Sequence, residues 1–186
     1  MAAPRSPATG IREAYAGRAS QQWRIAETLY SREELAGLPP DLPLSALGLG
    51  NPVRDARLEP GELVLDIGCG SGIDTLLAAR AVSPGGRVMG LDITEELLAI
   101  ARHHAAQSGA GNVDFLLAPM EEIPLADASV DVVISNGVIN LSEDKDSAFL
   151  EAWRVLRPGG RMVAADMLLV NDLPSSVLAH PKLWSG

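Results

Sequence analysis

The run Asp66-Ile67-Gly68-Cys69-Gly70-Ser71-Gly72 carries the sharpest chemical signal in the chain. It grows out of an apolar stretch, Leu63–Ile67, and leads into a helical pattern. Glycines at such a turn allow a tight bend and let a ligand come close to the main chain. In an open parallel sheet, ligands bind beyond the carboxyl ends of the strands. A dinucleotide-binding turn would read G-x-G-x-x-G, with its third glycine at position 73. That position holds Ile73, and the spacing present is G-x-G-x-G with an acid just before it. Asp66, Gly68, Cys69, Gly70 and Gly72 are therefore candidates for holding a cofactor other than a dinucleotide.

Each later strand end adds a candidate. Asp92 lies 26 residues after Asp66, followed by Ile93. An acid there can accept the hydroxyls of a ribose, or it can cap the next helix. Ala118-Pro119-Met120-Glu121 follows the third apolar run. Met120 suits either the face of an adenine or plain core packing. Ser135-Asn136-Gly137-Val138-Ile139-Asn140 follows the fourth. Its polar residues would face the same crevice.

The elements that must position these residues are legible as a pattern. Apolar runs at Leu63–Ile67, Arg87–Leu91, Val113–Leu117, Val130–Ser135 and Arg161–Ala165 alternate with helical stretches. That alternation implies βαβ units and a parallel sheet. Ser83-Pro84-Gly85-Gly86, Gly109-Ala110-Gly111-Asn112 and Arg157-Pro158-Gly159-Gly160 read as turns between them. Thr94 is expected as an N-cap before Glu95 and Glu96, and Glu143, Asp144 and Asp146 as an acid-rich helix start. Phe149, Trp153 and Leu156 share a helical face and are expected in the core. Upstream, Tyr15, Ala19, Trp23, Ala26 and Tyr30 form an apolar stripe, which predicts a helix over residues 11–36. Residues 1–8 read as frayed and residues 37–60 as an ordered connection.

Composition narrows the function classes. The chain has 186 residues, about one domain's worth. Its 47% apolar content is that of a chain with a core. The net charge of −9 and the scattered arginines argue against a nucleic-acid partner. No run is long and apolar enough for a membrane span, and a single cysteine, Cys69, excludes an internal disulfide framework. A cytoplasmic location is the simplest expectation. His103 and His104 are adjacent on a helix and diverge, which makes a poor metal pair, so no metal site is expected. His180 is expected to be exposed.

Residues 61–170 resemble a class I S-adenosylmethionine (SAM)-dependent methyltransferase, and within it the arsenite methyltransferase family. The stretches that carry the resemblance are Gly48-Leu49-Gly50-Asn51-Pro52, Val64–Asp74, Ser135–Ser142 and Arg154–Arg161. Arg12-Glu13-Ala14-Tyr15 is similar to the family's N-terminal helix, whose Tyr closes over the cofactor. The resemblance implies a Rossmann-like α/β sheet in the order 3-2-1-4-5. It implies SAM as cofactor, held by Asp66, Gly68, Cys69, Gly70, Gly72, Asp92, Ile93, Met120, Glu121, Ser135 and Asn136. Asn136, Gly137 and Tyr15 would lie nearest the transferred methyl group, with Asn51 as a further wall. Where the family's pattern has cysteines, this chain has Leu49 and Gly137, so the resemblance reaches the cofactor further than the acceptor.

The expected function is methyl transfer from SAM to a small-molecule acceptor. The competing readings are a non-catalytic SAM-binding protein that has lost its acceptor site, and a nucleotide-dependent oxidoreductase. The expected organisation is an N-terminal helical cap and connection over residues 1–60 and a SAM-binding domain over 61–186. Strands 6 and 7 of the superfamily find no counterpart in the sequence, and a short helix is expected to begin near Pro174. The fifth strand would then be an edge, so the expectation is either a truncated form or fragment, or a second copy of the chain that covers it.

Overall fold

Buried parallel strands must be apolar on both faces, and that requirement shapes the whole sheet. The computed structural model describes residues 25–42 and 47–168. Five strands, β1 (Leu63–Ile67), β2 (Arg87–Asp92), β3 (Val113–Leu117), β4 (Val130–Asn136) and β5 (Leu156–Ala165), form one parallel sheet in the order β3-β2-β1-β4-β5. The order is the one expected. It places a switch point between β1 and β4, where successive connections leave in opposite directions.

Alternation along the strands sends side chains to two cores. Val64, Val88, Val132 and Ile134 pack against Ala78, Ala79 and Val82 on one face. Leu65, Ile67, Leu91 and Val133 pack against Ala152 and Val155 on the other. The described helices include α1 (Arg32–Leu35), α2 (Pro52–Ala56), α3 (Ile73–Ala81), α4 (Glu95–Ser108) and α5 (Lys145–Val155), of which α3 and α5 supply these contacts and Ala56 of α2 joins the first. The helix α3 is buried on nearly every side from Ile73 to Ala79. It lies between the sheet and an N-terminal layer in which Ala26, Tyr30, Leu38 and Leu42 are buried. No described helix is long and apolar enough to cross a membrane.

The structure corrects several sequence expectations. The helix predicted over 11–36 breaks at Tyr30: residues 25–29 are helical, and α1 starts afresh behind Ser31. The cause is a capping box, in which the Ser31 hydroxyl accepts from the Glu34 amide and the Glu34 carboxylate accepts from the Ser31 amide. The connection over 37–60 contains α2, started by Pro52 and capped by the Asn51 side chain. Thr94 precedes α4 without a side-chain cap bond, and its amide donates to Asp92 Oδ1 instead.

Two further expectations change at the fifth strand. It begins at Leu156, not Arg161; Val130 pairs with Leu156 and Val132 with Arg161, so Arg157–Gly160 is absorbed as a bulge. Trp153 is 78% exposed and Phe149 is exposed too; the inward face of α5 is Ala148, Ala152 and Val155. Small residues there let the helix lie close to the sheet, so the large aromatic rings point outward. Asp144 does cap α5, accepting from Ser147. The expectations for Tyr15, for residues 1–8, for Pro174 and for His180 lie outside the described residues.

Long-range polar clamps hold the layers in register. The Arg161 guanidinium donates to both oxygens of Glu62 and to the carbonyls of Ala56 and Arg57, joining β5 to the end of α2. Arg154 joins α5 to the loop before β4 through the carbonyls of Ile123 and Leu125.

The two sides of α5 and the sheet should respond very differently to truncation. Leu65→Ala, at a fully buried position, should cost about 2–5 kcal/mol in urea unfolding. Trp153→Ala should change stability by no more than about 0.5 kcal/mol. A large loss at Trp153 would contradict the outward placement of that ring.

Candidate functional site

The glycine loop leaves β1 and is tied at once to the end of β2. The amides of Gly68 and Cys69 both donate to the Leu91 carbonyl, at 2.8 and 2.9 Å. The Gly70 amide donates to Asp92 Oδ2 at 2.9 Å. Gly68 has a φ of +72°, and a Cβ on it would lie 2.5 Å from Val138. Only glycine satisfies both the backbone twist and the contact with the segment after β4. Gly70 presents the opposite situation: among the described residues nothing lies within 4 Å of where its Cβ would be.

Asp92 is the hub of this edge. One carboxylate oxygen accepts from Gly70 and the other from Thr94, at 2.9 Å each. A carboxylate has about four acceptor positions, so among the described residues two remain unused. Its strand neighbour at the end of β3 is Leu117, and Ile93 follows it; both are exposed apolar side chains. Met120 is half-buried against the core that contains Leu91 and Ile123. Glu121 accepts a very short hydrogen bond from the Ser142 hydroxyl, linking the loop after β3 to the 3-10 turn Ile139–Leu141 after β4.

Several predicted site residues turn out to be engaged inside the protein. Ser135 is buried and its hydroxyl donates to the Ile67 carbonyl, bridging β4 to β1. Cys69 is buried, and burial pushes its thiol far above the ordinary range. Asn51 caps α2 and donates to the Leu29 carbonyl and Glu34. Asn136 is the most committed. Its Oδ1 accepts from the amides of Leu49 and Gly50, at 2.7 and 3.1 Å. Its Nδ2 lies 2.9 Å from Asp74 Oδ2, 3.0 Å from the Gly50 carbonyl and 3.2 Å from the Tyr30 hydroxyl. Gly137 follows it with a φ of +74°, its amide donating to the Ala165 carbonyl.

Sequence reasoning missed the two partners of Asn136. Tyr30 read as one apolar tooth of a helical stripe, yet its hydroxyl donates to Asp74 Oδ1 at 3.0 Å. Asp74 is a buried acid in the first turn of a mostly apolar helix, and that mismatch was the available signal.

The electrostatics of the site follow from burial. Asp66 accepts from the Thr75 hydroxyl at 2.5 Å and has almost no solvent contact. Burial first, and the nearby Asp74 carboxylate second, raise its pKa well above the ordinary carboxylate value. Asp74 is raised by burial as well, while its bonds from Asn136 and Tyr30 pull it back down. The hydrogen-bond partners of both acids are neutral groups. Among the described residues, no arginine or lysine side chain bonds either acid, so an arriving cation would favour their ionised forms.

Comparison with known proteins agrees with this geometry. The chain is 42% identical over 157 residues to an arsenite methyltransferase of Halobacterium salinarum, a match covering 84% of this chain and 40% of that protein. It is 36% identical over 164 residues to the arsenite methyltransferase of Mus musculus, covering 83% and 43%. The crystal structure of an arsenic(III) S-adenosylmethionine methyltransferase from Chlamydomonas reinhardtii superposes with a TM-score of 0.74 at 41% identity, over 82% of this chain and 53% of that one. The chain thus spans less than half the length of these two curated relatives. A methyltransferase-domain family match runs over residues 58–185. Since that match extends through most of the described sheet and over more than half of the sequence, the chain belongs to the methyltransferase-domain family and resembles its arsenite methyltransferases.

Proposed function

We propose that the chain binds SAM and transfers its methyl group to a small-molecule acceptor, as an arsenite methyltransferase-like enzyme. The observation that carries this reading is Asp92, which fastens the open face of the glycine loop and keeps two acceptor positions for the ribose. Ile93 and Leu117 supply apolar surface for the adenine, with Met120 and Glu121 on the connection beyond. Asp66, Gly68, Cys69, Gly70 and Gly72 shape the amino-acid end of the site, with Asp66 acting through its charge. Ser135 and Asn136 hold the adjoining strand end. Bound SAM supplies a methyl group made electrophilic by its sulfonium. The protein's part is to position that methyl group and exclude water. Gly137 borders the acceptor side, and Tyr15 is proposed to close over the cofactor.

The division of labour we propose is a SAM-binding unit over residues 61–186 and a cap over residues 1–60. Its support is the buried layer of Ala26, Tyr30, Leu38 and Leu42 laid over α3. A cytoplasmic location fits the single, buried Cys69. The free edge of β5 among the described strands fits a second copy of the chain laid against it. Light scattering should then give a dimer mass, and a stable monomer that resists aggregation would count against that pairing.

Calorimetric titration of the protein with SAM and with S-adenosylhomocysteine should show one saturable site. Absence of heat with both would remove the proposal. Asp92→Asn should weaken S-adenosylhomocysteine binding at least about tenfold, because charge-assisted hydrogen bonds to the ribose become neutral ones.

Asp66 gives a pH signature. Its folded-state pKa is raised, so its contribution to stability is fully present below the ordinary value near ~4 and is lost as pH rises through the raised one. Asp66→Asn should therefore raise the melting temperature of the ligand-free protein at neutral pH, with the gain vanishing toward acid pH. Cationic SAM favours the ionised form, so its affinity should rise with pH from about 5.5 to about 7.5, and the Asn variant should flatten that rise. A variant that melts lower at neutral pH and keeps the full pH dependence would refute the assigned role.

A further inference from the structure

We infer that the acceptor side of this crevice is an apolar wall built on Leu47 and Leu49, and that the acceptor is an organic molecule with an apolar body. The inference rests on the proposed methyltransferase reading and extends it to the acceptor class. Its starting point is the exposure of large apolar side chains at the carboxyl end of β4 and β5. Leu47 is 63% exposed, Leu49 46%, Leu141 55% and Met167 62%. Single exposed apolar residues are common, but a cluster at one edge marks a binding surface.

The backbone shows why they gather there. The Asn136 side-chain oxygen accepts from the Leu49 amide, which holds that residue at the end of β4. A Cβ at Gly137 would stand 3.4 Å from Leu49 Cγ, in ordinary contact, so Leu49 lies directly over the glycine. A side chain at Gly50 would collide with Ala165, so the segment also presses against the end of β5. Asp166 accepts from the amides of Asn140 and Met167, which brings Leu141 and Met167 to the same end. The wall adjoins the cofactor loop, since Val138 seats against Gly68.

Asn136 and Asp166 both bond the backbone at this edge, and Asp166 keeps acceptor positions at its rim. Asn136 is committed to Leu49, Gly50, Asp74 and Tyr30, and both oxygens of Asp166 accept backbone amides. Among the described residues, this wall exposes the apolar side chains of Leu47, Leu49, Leu141 and Met167, so apolar contact holds the body of the acceptor, which suits an aryl or alkyl group. The glycine at 137 lets Leu49 lie close against the main chain, and its φ of +74° disfavours a side chain there. In the transfer itself, a lone pair on the acceptor forms a bond to the methyl carbon as the carbon–sulfur bond breaks. The electron pair returns to sulfur, and any proton on the acceptor atom leaves to water.

The test uses 2-naphthol as an unreactive apolar probe and two thiols that share a nucleophile but differ in body. The protein loaded with S-adenosylhomocysteine should bind 2-naphthol saturably in calorimetry. Leu49→Asp should weaken that binding at least about tenfold, while Leu49→Ile retains it. S-adenosylhomocysteine affinity should be unchanged in both variants. With methyl-labelled SAM, label should pass to 2-naphthalenethiol in preference to glutathione. Absence of saturable 2-naphthol binding, equal binding by Leu49→Asp, or preference for glutathione or arsenite would overturn the inference. Failure to bind S-adenosylhomocysteine at all would instead refute the cofactor reading, and 2-naphthol binding to the ligand-free protein then still decides the wall.

Discussion

The side-chain amide of Asn136 joins four parts of the molecule at one point. It ends β4, holds the Leu49–Gly50 backbone through its oxygen, and reaches Asp74 on α3 and Tyr30 beyond the N-terminal helical turn through its nitrogen. Each such bond contributes about 0.5–1.5 kcal/mol net, but losing the amide would leave several buried partners unsatisfied at once. The segment over residues 47–50 has no regular structure to fix it. Its position over the strand ends depends on this residue, and so does the shape of the crevice on the acceptor side.

The second constraint is electrostatic. Asp66, Asp74 and Asp92 lie around one glycine loop, and the first two are buried with neutral hydrogen-bond partners. Burial without a counter-cation disfavours their ionised forms, so the ligand-free protein holds the site at some cost in stability. That cost fits a site meant for a positively charged ligand, whose arrival relieves it. Elsewhere the chain pairs its acids with arginine, as Glu62 with Arg161 and Glu151 with Arg154, and those carboxyls are pulled below their ordinary range. The contrast within a single chain distinguishes acids paired with arginine from acids held, among the described residues, by neutral donors alone.

The resulting edge has two halves with different chemistry. Beside β2 and β3, the charge of Asp92 sits next to apolar Ile93 and Leu117, as a nucleoside requires. Beside β4 and β5, Asn136 and Asp166 bond the neighbouring backbone and leucines face out. The switch point between β1 and β4 lies where the halves meet, so two different molecules can be brought together over one loop.

The strand positions, their alternation with helices, the glycine loop and the acids at the strand ends were all legible in the sequence. They depend on local spacing, and the period of two along a strand is written residue by residue. The helix break at Ser31 was legible as well, in a capping box overlooked beneath the apolar stripe. Other features had no local signal. Trp153 is apolar and correctly spaced for a core, yet Ala148 and Ala152 take the inward face, because only tertiary packing decides which of two apolar stripes meets the sheet. Asn136 looked like a ligand contact and Tyr30 like core, and Asp74 carried no assigned role. They become one network only when residues 44, 62 and 106 positions apart are brought within hydrogen-bonding reach. The sequence by itself determined the sheet and the loop, since both follow from short-range periodicity and backbone sterics. The tertiary structure alone decided which polar groups are already bonded and which face a ligand, since hydrogen-bond satisfaction belongs to the folded whole.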